Sequence, residues 1–127
     1  MNIPGGYYYT KEHEWVKIEG DLALVGITEF AQGELGDVVF VQLPEVGSNA
    51  KQGERFGTIE AVKAVADLYS PVTGTVTEVN SELASSPEII NREPYTGGWI
   101  VKIRPINFDK DKADLLTPEQ YKDLTSA

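Results

Sequence analysis

The 127-residue sequence contains no cysteine. Disulfides, thiolate metal sites and a cysteine nucleophile are therefore excluded. It has a single histidine, His13, so a multi-histidine metal site is excluded and any catalytic triad would depend on that one ring. Basic residues are scarce: 11 Lys and Arg face 20 Asp and Glu, for a net charge of −9. A chain this acidic repels a phosphate backbone, because nucleic-acid affinity comes largely from cations displacing counterions. The same charge favours solubility and steers toward basic patches on partner proteins. No stretch approaches the ~18 apolar residues needed to span a bilayer, and Met1-Asn-Ile-Pro-Gly-Gly6 lacks both the basic start and apolar centre of a signal peptide and the arginines of a transit peptide. The expectation is a soluble, cytoplasmic protein without nucleic-acid or membrane partners. Gly-x-Ser-x-Gly, a phosphate-binding glycine loop and His-Glu-x-x-His are also missing. The carboxylates are spread over exposed-looking turns and helices, so the sequence does not read as a stand-alone enzyme.

What is present reads as one mainly β domain over residues 1–127, with a core of about residues 7–105 and a C-terminal helical segment of about 109–125. Tyr7-Tyr-Tyr-Thr10 is β-prone, and Gly20-Asp21 separates Trp15–Ile18 from Leu22–Val25 as a first hairpin. Thr28 can cap a short helix near residues 28–35, ended by Gly36. Asp37–Leu43 is apolar almost throughout and predicts a strand buried on both faces. Phe56–Glu60 and a segment closed by Tyr69–Gly74 form a central hairpin, followed by strands at Thr75–Val79 and Trp99–Ile103. Asn80–Pro87 has room for one helical turn, and Ile89–Asn91 is a short apolar piece. Thr117-Pro118 supplies a cap and first-turn proline for a terminal helix. Gly36-x-Val38-x-x-Val41 echoes Gly74-x-Val76-x-x-Val79, which would suit a small β-sandwich or barrel-like hybrid of two similar antiparallel half-sheets.

His13 lies between Glu12 and Glu14. Alternate residues of a strand face opposite sides, so the ring is expected to point away from both glutamates and to serve packing or the surface. Glu14 has the option of lining a groove. The most informative stretch is Gly57–Gly74, where Lys63 is flanked by Val62 and Ala64 and by two β-prone segments. That arrangement predicts an ammonium at a hairpin tip. A lysine there is reachable by a modifying enzyme, and a long arm attached to it would convert a bimolecular encounter into a tethered one at high effective concentration. The ordinary alternative is a solvated surface lysine, and only the surrounding pattern can decide.

That pattern is specific. Glu60-Ala-Val-Lys63-Ala-Val-Ala-Asp-Leu-Tyr-Ser-Pro-Val-Thr-Gly74 resembles the lipoylation segment of glycine cleavage system H proteins. His13-Glu-Trp-Val16, Val25-Gly-Ile-Thr28, Ala31-Gln32, Leu35–Val41, Leu43-Pro-x-Val-Gly47, Pro94-Tyr95 and Gly98-Trp99 through Lys102-Ile103 extend the likeness in order. One departure is Ala61, where the family often has serine; the side chain stays small. Biotin carriers place the lysine between two methionines, and the one methionine here is Met1. Lipoyl domains of 2-oxoacid dehydrogenase complexes typically show Asp-Lys-Ala and lack the His-Glu-Trp start.

The resemblance implies lipoate in amide linkage on Lys63, with a lipoate-attaching enzyme as one partner. It implies a carrier shuttling the aminomethyl intermediate of glycine from glycine decarboxylase (P protein) to the tetrahydrofolate-dependent aminomethyltransferase (T protein), and its dithiol to dihydrolipoamide dehydrogenase (L protein). The hard chemistry would belong to those partners and their cofactors. Such an adduct is prone to hydrolysis, and a groove carboxylate would hold its ammonium by a charge-assisted hydrogen bond. Glu14 and Asp67 are the candidates, Asp67 because it lies four residues past the attachment point. Alternatives are a lipoyl domain of another complex or an unmodified docking or regulatory protein of the same fold.

Overall fold

The computed structural model describes residues 2–126. Its strands are β1 (Tyr8–Tyr9), β2 (Glu14–Glu19), β3 (Leu22–Ile27), β4 (Val38–Gln42), β5 (Asn49–Ala50), β6 (Arg55–Ala61), β7 (Val65–Tyr69), β8 (Gly74–Val79) and β9 (Val101–Pro105). The helices are α1 (Glu29–Leu35), α2 (Ile89–Arg92), α3 (Phe108–Lys112) and α4 (Pro118–Thr125), with a 3-10 turn at Ser81–Ala84. A six-stranded antiparallel sheet runs β1-β2-β3-β9-β8-β5, and a three-stranded one runs β4-β6-β7.

Local chemistry explains these elements. The β2–β3 hairpin pairs Glu19 with Leu22, which leaves Gly20 and Asp21 as the turn. Gly20 takes φ +62°, a conformation open to glycine at little cost. The hydroxyl of Thr28 accepts the Ala31 N–H at 3.2 Å and so caps α1. Thr117 and Gln120 form a reciprocal capping box at the start of α4, with Pro118 in its first turn. The main core lies between the sheets, where Val16, Val25, Ile59, Leu68, Val76 and Ile103 are buried. Burying each such side chain contributes about 1.5–3 kcal/mol. A second, aromatic cluster gathers Tyr9, Trp15, Tyr95 and Tyr121. The Trp15 indole N–H donates to the Pro94 carbonyl at 2.8 Å, so this large ring is buried without an orphaned donor.

Several sequence expectations are corrected. Residues 38–42 form a strand, yet Val39 is 55 % and Phe40 53 % exposed. Only Val38 and Val41 turn inward: one face of β4 meets solvent, and an irregularity between Val38 and Phe40 breaks the alternation so that Val39 and Phe40 are both exposed. The Gly-x-Val echo falls on β4 of the three-stranded sheet and β8 of the six-stranded one, and because these sheets are unequal it does not mark equivalent halves. Ile89–Asn91 is helical, burying Ile89 and Ile90. The C-terminal segment holds two short helices instead of one. Between them, Tyr9 and Leu116 exchange backbone hydrogen bonds of 2.9 and 2.7 Å, which fasten the C-terminal segment to β1.

Candidate functional site

The attachment candidate is built by the β6–β7 hairpin. Glu60 pairs with Val65, and the Ala61 N–H donates to the Ala64 carbonyl at 2.8 Å. Val62 and Lys63 are thus a two-residue tip. Neither residue takes positive φ, although tight hairpins usually favour such turns. An additional anchor holds this tip: the Val62 N–H donates to the Asp37 carbonyl at 2.9 Å, tying it to the loop after α1. The Lys63 stem passes over Gly36, where a Cβ would come within 2.8 Å of Lys63 Cε. Gly36 has φ +78° and ψ −158°, a region open essentially to glycine alone. Lys63 is exposed, and among the described residues it has no salt bridge or hydrogen bond. Around it, Val62 and Val65 are 72 % and 66 % exposed, and Phe40, Glu60 and Val65 form one cross-strand row.

Between α1 and the β6–β7 hairpin lies a cavity of about 480 Å³. Phe30, Ala31 and Leu35 of α1 meet Ile59 of β6 and Ala66 and Leu68 of β7 there, giving a largely apolar lining. Glu12, Glu14, Glu34 and Asp67 add carboxylates to it. Glu14, together with Glu12 and Tyr69, also lines an adjoining cavity of about 500 Å³ that includes Thr10 and Ser70. The pairing of Ile59 with Ala66 and Thr58 with Asp67 sets Asp67 four residues down β7 from the tip, about 13 Å along the strand.

Glu14 is 1 % exposed. One of its carboxyl oxygens accepts from the Thr10 hydroxyl and the other from the Tyr69 N–H at 3.2 Å. No cation is paired with it among the described residues. Burial pushes its carboxyl up to about 7, although these hydrogen bonds to Thr10 and Tyr69 partly offset that effect. Asp67 is more open, and its carboxylate lies 3.8 Å from the Arg55 guanidinium. Both residues singled out from the sequence therefore line one cavity, Glu14 as a buried acid and Asp67 as a partly screened charge.

His13 packs as expected but departs from the expected direction. It precedes β2 and takes φ +72°, so strand alternation does not apply, and His13 lines the same cavity as Glu12 and Glu14. Its Nδ1 lies 2.8 Å from the Tyr121 hydroxyl, and its ring centroid is 4.7 Å from that of Phe30. Burial lowers its pKa, opposed by the charges of Glu12 and Glu34. Sequence reasoning missed Phe30 and Tyr121 as site neighbours. Tyr121 had only its helical spacing as a signal, which places it on a packed face without saying against what. Among the described residues, no group of three His, Asp or Glu could hold a metal ion, and no helix is long and apolar enough to cross a membrane.

The family model for the glycine cleavage H-protein matches residues 7–127. The chain belongs to that family. It is a carrier subunit of the glycine cleavage system and not an enzyme by itself. The glycine cleavage system H protein of Rubrobacter xylanophilus is 60% identical over 119 residues, covering 94% of this chain and 91% of its own length. That of Halothermothrix orenii is 53% identical over 121 residues, covering 95% and 94%. The crystal structure of a glycine cleavage system H protein from Mycobacterium marinum superposes with a TM-score of 0.90 at 40% identity, covering 98% of this chain and 100% of that one. The family relationship accords with a mainly β fold of two antiparallel sheets.

Proposed function

We propose that Lys63 carries lipoate in amide linkage and that the protein moves the amine-bearing one-carbon unit of glycine between enzymes of the glycine cleavage system. Glycine decarboxylase would load it, the tetrahydrofolate-dependent aminomethyltransferase would unload it, and dihydrolipoamide dehydrogenase would restore the disulfide. When attached, lipoate supplies a dithiolane that accepts and releases this cargo.

The observation that carries the reading is an exposed, unpaired amine on an anchored two-residue tip. Acylation there removes no ion pair seen among the described residues. The anchor to Asp37 and the glycine beneath the stem fix where the arm leaves the protein. The apolar walls from α1 and β7 suit a hydrocarbon chain with a ring at its end. Glu14 and Asp67 would then meet the cationic cargo. An ammonium near Glu14 favours its ionised form and would form a charge-assisted hydrogen bond sheltered from water.

Reconstitution tests this reading. Lipoylated protein combined with the three enzymes, glycine, tetrahydrofolate and NAD should produce NADH, whereas Lys63→Arg, which keeps the charge but offers no amine to acylate, should produce none. Turnover by Lys63→Arg at the wild-type rate would refute it. Replacing Glu14 and Asp67 together should speed hydrolysis of loaded cargo; an unchanged rate removes them from the reading.

A further inference from the structure

Tyr121 belongs to α4, outside both sheets, yet it is completely buried. Its ring stacks on Tyr9, with centroids 4.8 Å apart and planes 11° from parallel. Its hydroxyl meets two partners, Thr28 Oγ1 at 2.7 Å and His13 Nδ1 at 2.8 Å. Each partner leads to the cavity below Lys63. Thr28 caps α1, the helix that contributes Phe30, Ala31, Glu34 and Leu35 to the cavity. His13 lies against Phe30 and immediately precedes Glu14. Its left-handed backbone is unusual for a residue with a Cβ and persists only where the surroundings enforce it. Two hydrogen bonds do so locally: His13 N–H donates to Thr10 O at 3.1 Å, and Thr28 N–H donates to His13 O at 3.0 Å.

We propose that Tyr121 is a positioning residue for the cargo cavity, its hydroxyl locking His13 to the cap of α1 so that Phe30 and Glu14 keep one arrangement. The inference rests on the cavity reading above. A hydroxyl donates once, so the His13–Tyr121–Thr28 chain has one direction at a time. With Nδ1 unprotonated, Tyr121 donates to His13 and Thr28 donates to Tyr121. With Nδ1 protonated, both bonds must reverse, and Thr28 Oγ1 would take the Tyr121 hydroxyl in addition to the Ala31 N–H. The groups facing His13 are Glu12 beside it, Glu34 of α1, Tyr121 of α4, and Glu14 on the same cavity. Burial of the ring favours the neutral form, in which the direction follows the tautomer: the first when the proton sits on Nε2, the second when it sits on Nδ1.

The test uses the full chain and Tyr121→Phe, which keeps the stacked ring and removes the hydroxyl. His13 is the only histidine, so its ring resonances are unambiguous by NMR. In unlipoylated protein, Tyr121→Phe should move the His13 Nδ1 resonance toward that of a nitrogen without a hydrogen bond. In lipoylated protein loaded by glycine decarboxylase, it should speed hydrolysis of the cargo about fivefold, the loss of one net hydrogen bond. Thr28→Ser, which keeps the hydroxyl, should behave as wild type, and His13→Phe, which leaves the α1 cap in place and removes the Nδ1 partner, should behave as Tyr121→Phe; this pair decides the matter if Tyr121→Phe does not fold. Wild-type hydrolysis in folded Tyr121→Phe or folded His13→Phe overturns the inference. If Glu14→Gln also leaves hydrolysis unchanged, the cavity reading falls with it; if Glu14→Gln alone accelerates hydrolysis, only the role of Tyr121 is lost.

Discussion

Glu14→Gln tests the electrostatic account in the unlipoylated protein, with no partner enzyme. The Glu14 carboxyl is buried, and its pKa rises from 4.5 to about 7. The folded state thus holds this proton more tightly than the unfolded chain does. Between about pH 4.5 and 7 the native protein binds more protons at this site, so stability falls as pH rises through that window. At about 1.4 kcal/mol per pH unit, the loss from this one group is about 3 kcal/mol between pH 4 and pH 8. Glutamine does not titrate and fits the same partners. Its carbonyl can accept the Tyr69 N–H, and its amide can donate to the Thr10 hydroxyl, which rotates to suit. Urea unfolding at intervals from pH 4 to 8.5 should therefore give similar stabilities for the two proteins at pH 4, with the variant more stable by about 3 kcal/mol at pH 8. Parallel pH profiles would refute the reasoning. The same result bears on function, because a carboxyl that costs stability when ionised and empty is one that a bound ammonium would relieve.

Three further outcomes follow from the geometry. Lys63→Ala should change unfolding free energy by no more than about 0.5 kcal/mol, since the side chain is exposed and unpaired; a larger loss by urea titration would mean the tip depends on it. Gly36→Ala should destabilise by about 1–3 kcal/mol from backbone strain, and should also displace the Lys63 stem, visible as a changed rate of acylation by a lipoate-attaching enzyme. Gly26→Ala would place a Cβ 2.6 Å from the Trp15 ring. Thermal unfolding and Trp fluorescence should report overpacking of about 1–3 kcal/mol.

The tip and its lysine were legible because their signal is local. Small β-prone residues on either side of Lys63 specify a hairpin, and a hairpin has one end. The caps at Thr28 and Thr117 were legible for the same reason, each resting on contacts within one turn. The exposed face of β4 was not. A run such as Val38-Val-Phe-Val41 shows hydrophobicity without showing that one face of the strand is left uncovered or that an irregularity breaks its alternation. His13 packs against Phe30 as a structural residue, but strand alternation does not set its direction, because it lies just outside β2. Its left-handed backbone comes from bonds to Thr10 and Thr28 across two segments. Glu14 lines a cavity, but its raised pKa depends on burial that no sequence pattern states. Tyr121 illustrates the limit most clearly, since its partners are on β1, before β2 and before α1, all distant in sequence.

The central claim is that Lys63 is the acylated residue, and intact mass spectrometry tests it most directly. Protein produced in cells able to make and attach lipoate should show a lipoyl-sized mass increase, which Lys63→Ala abolishes while remaining folded. An unmodified wild-type mass under those conditions, or an increase that survives in Lys63→Ala, would contradict the account.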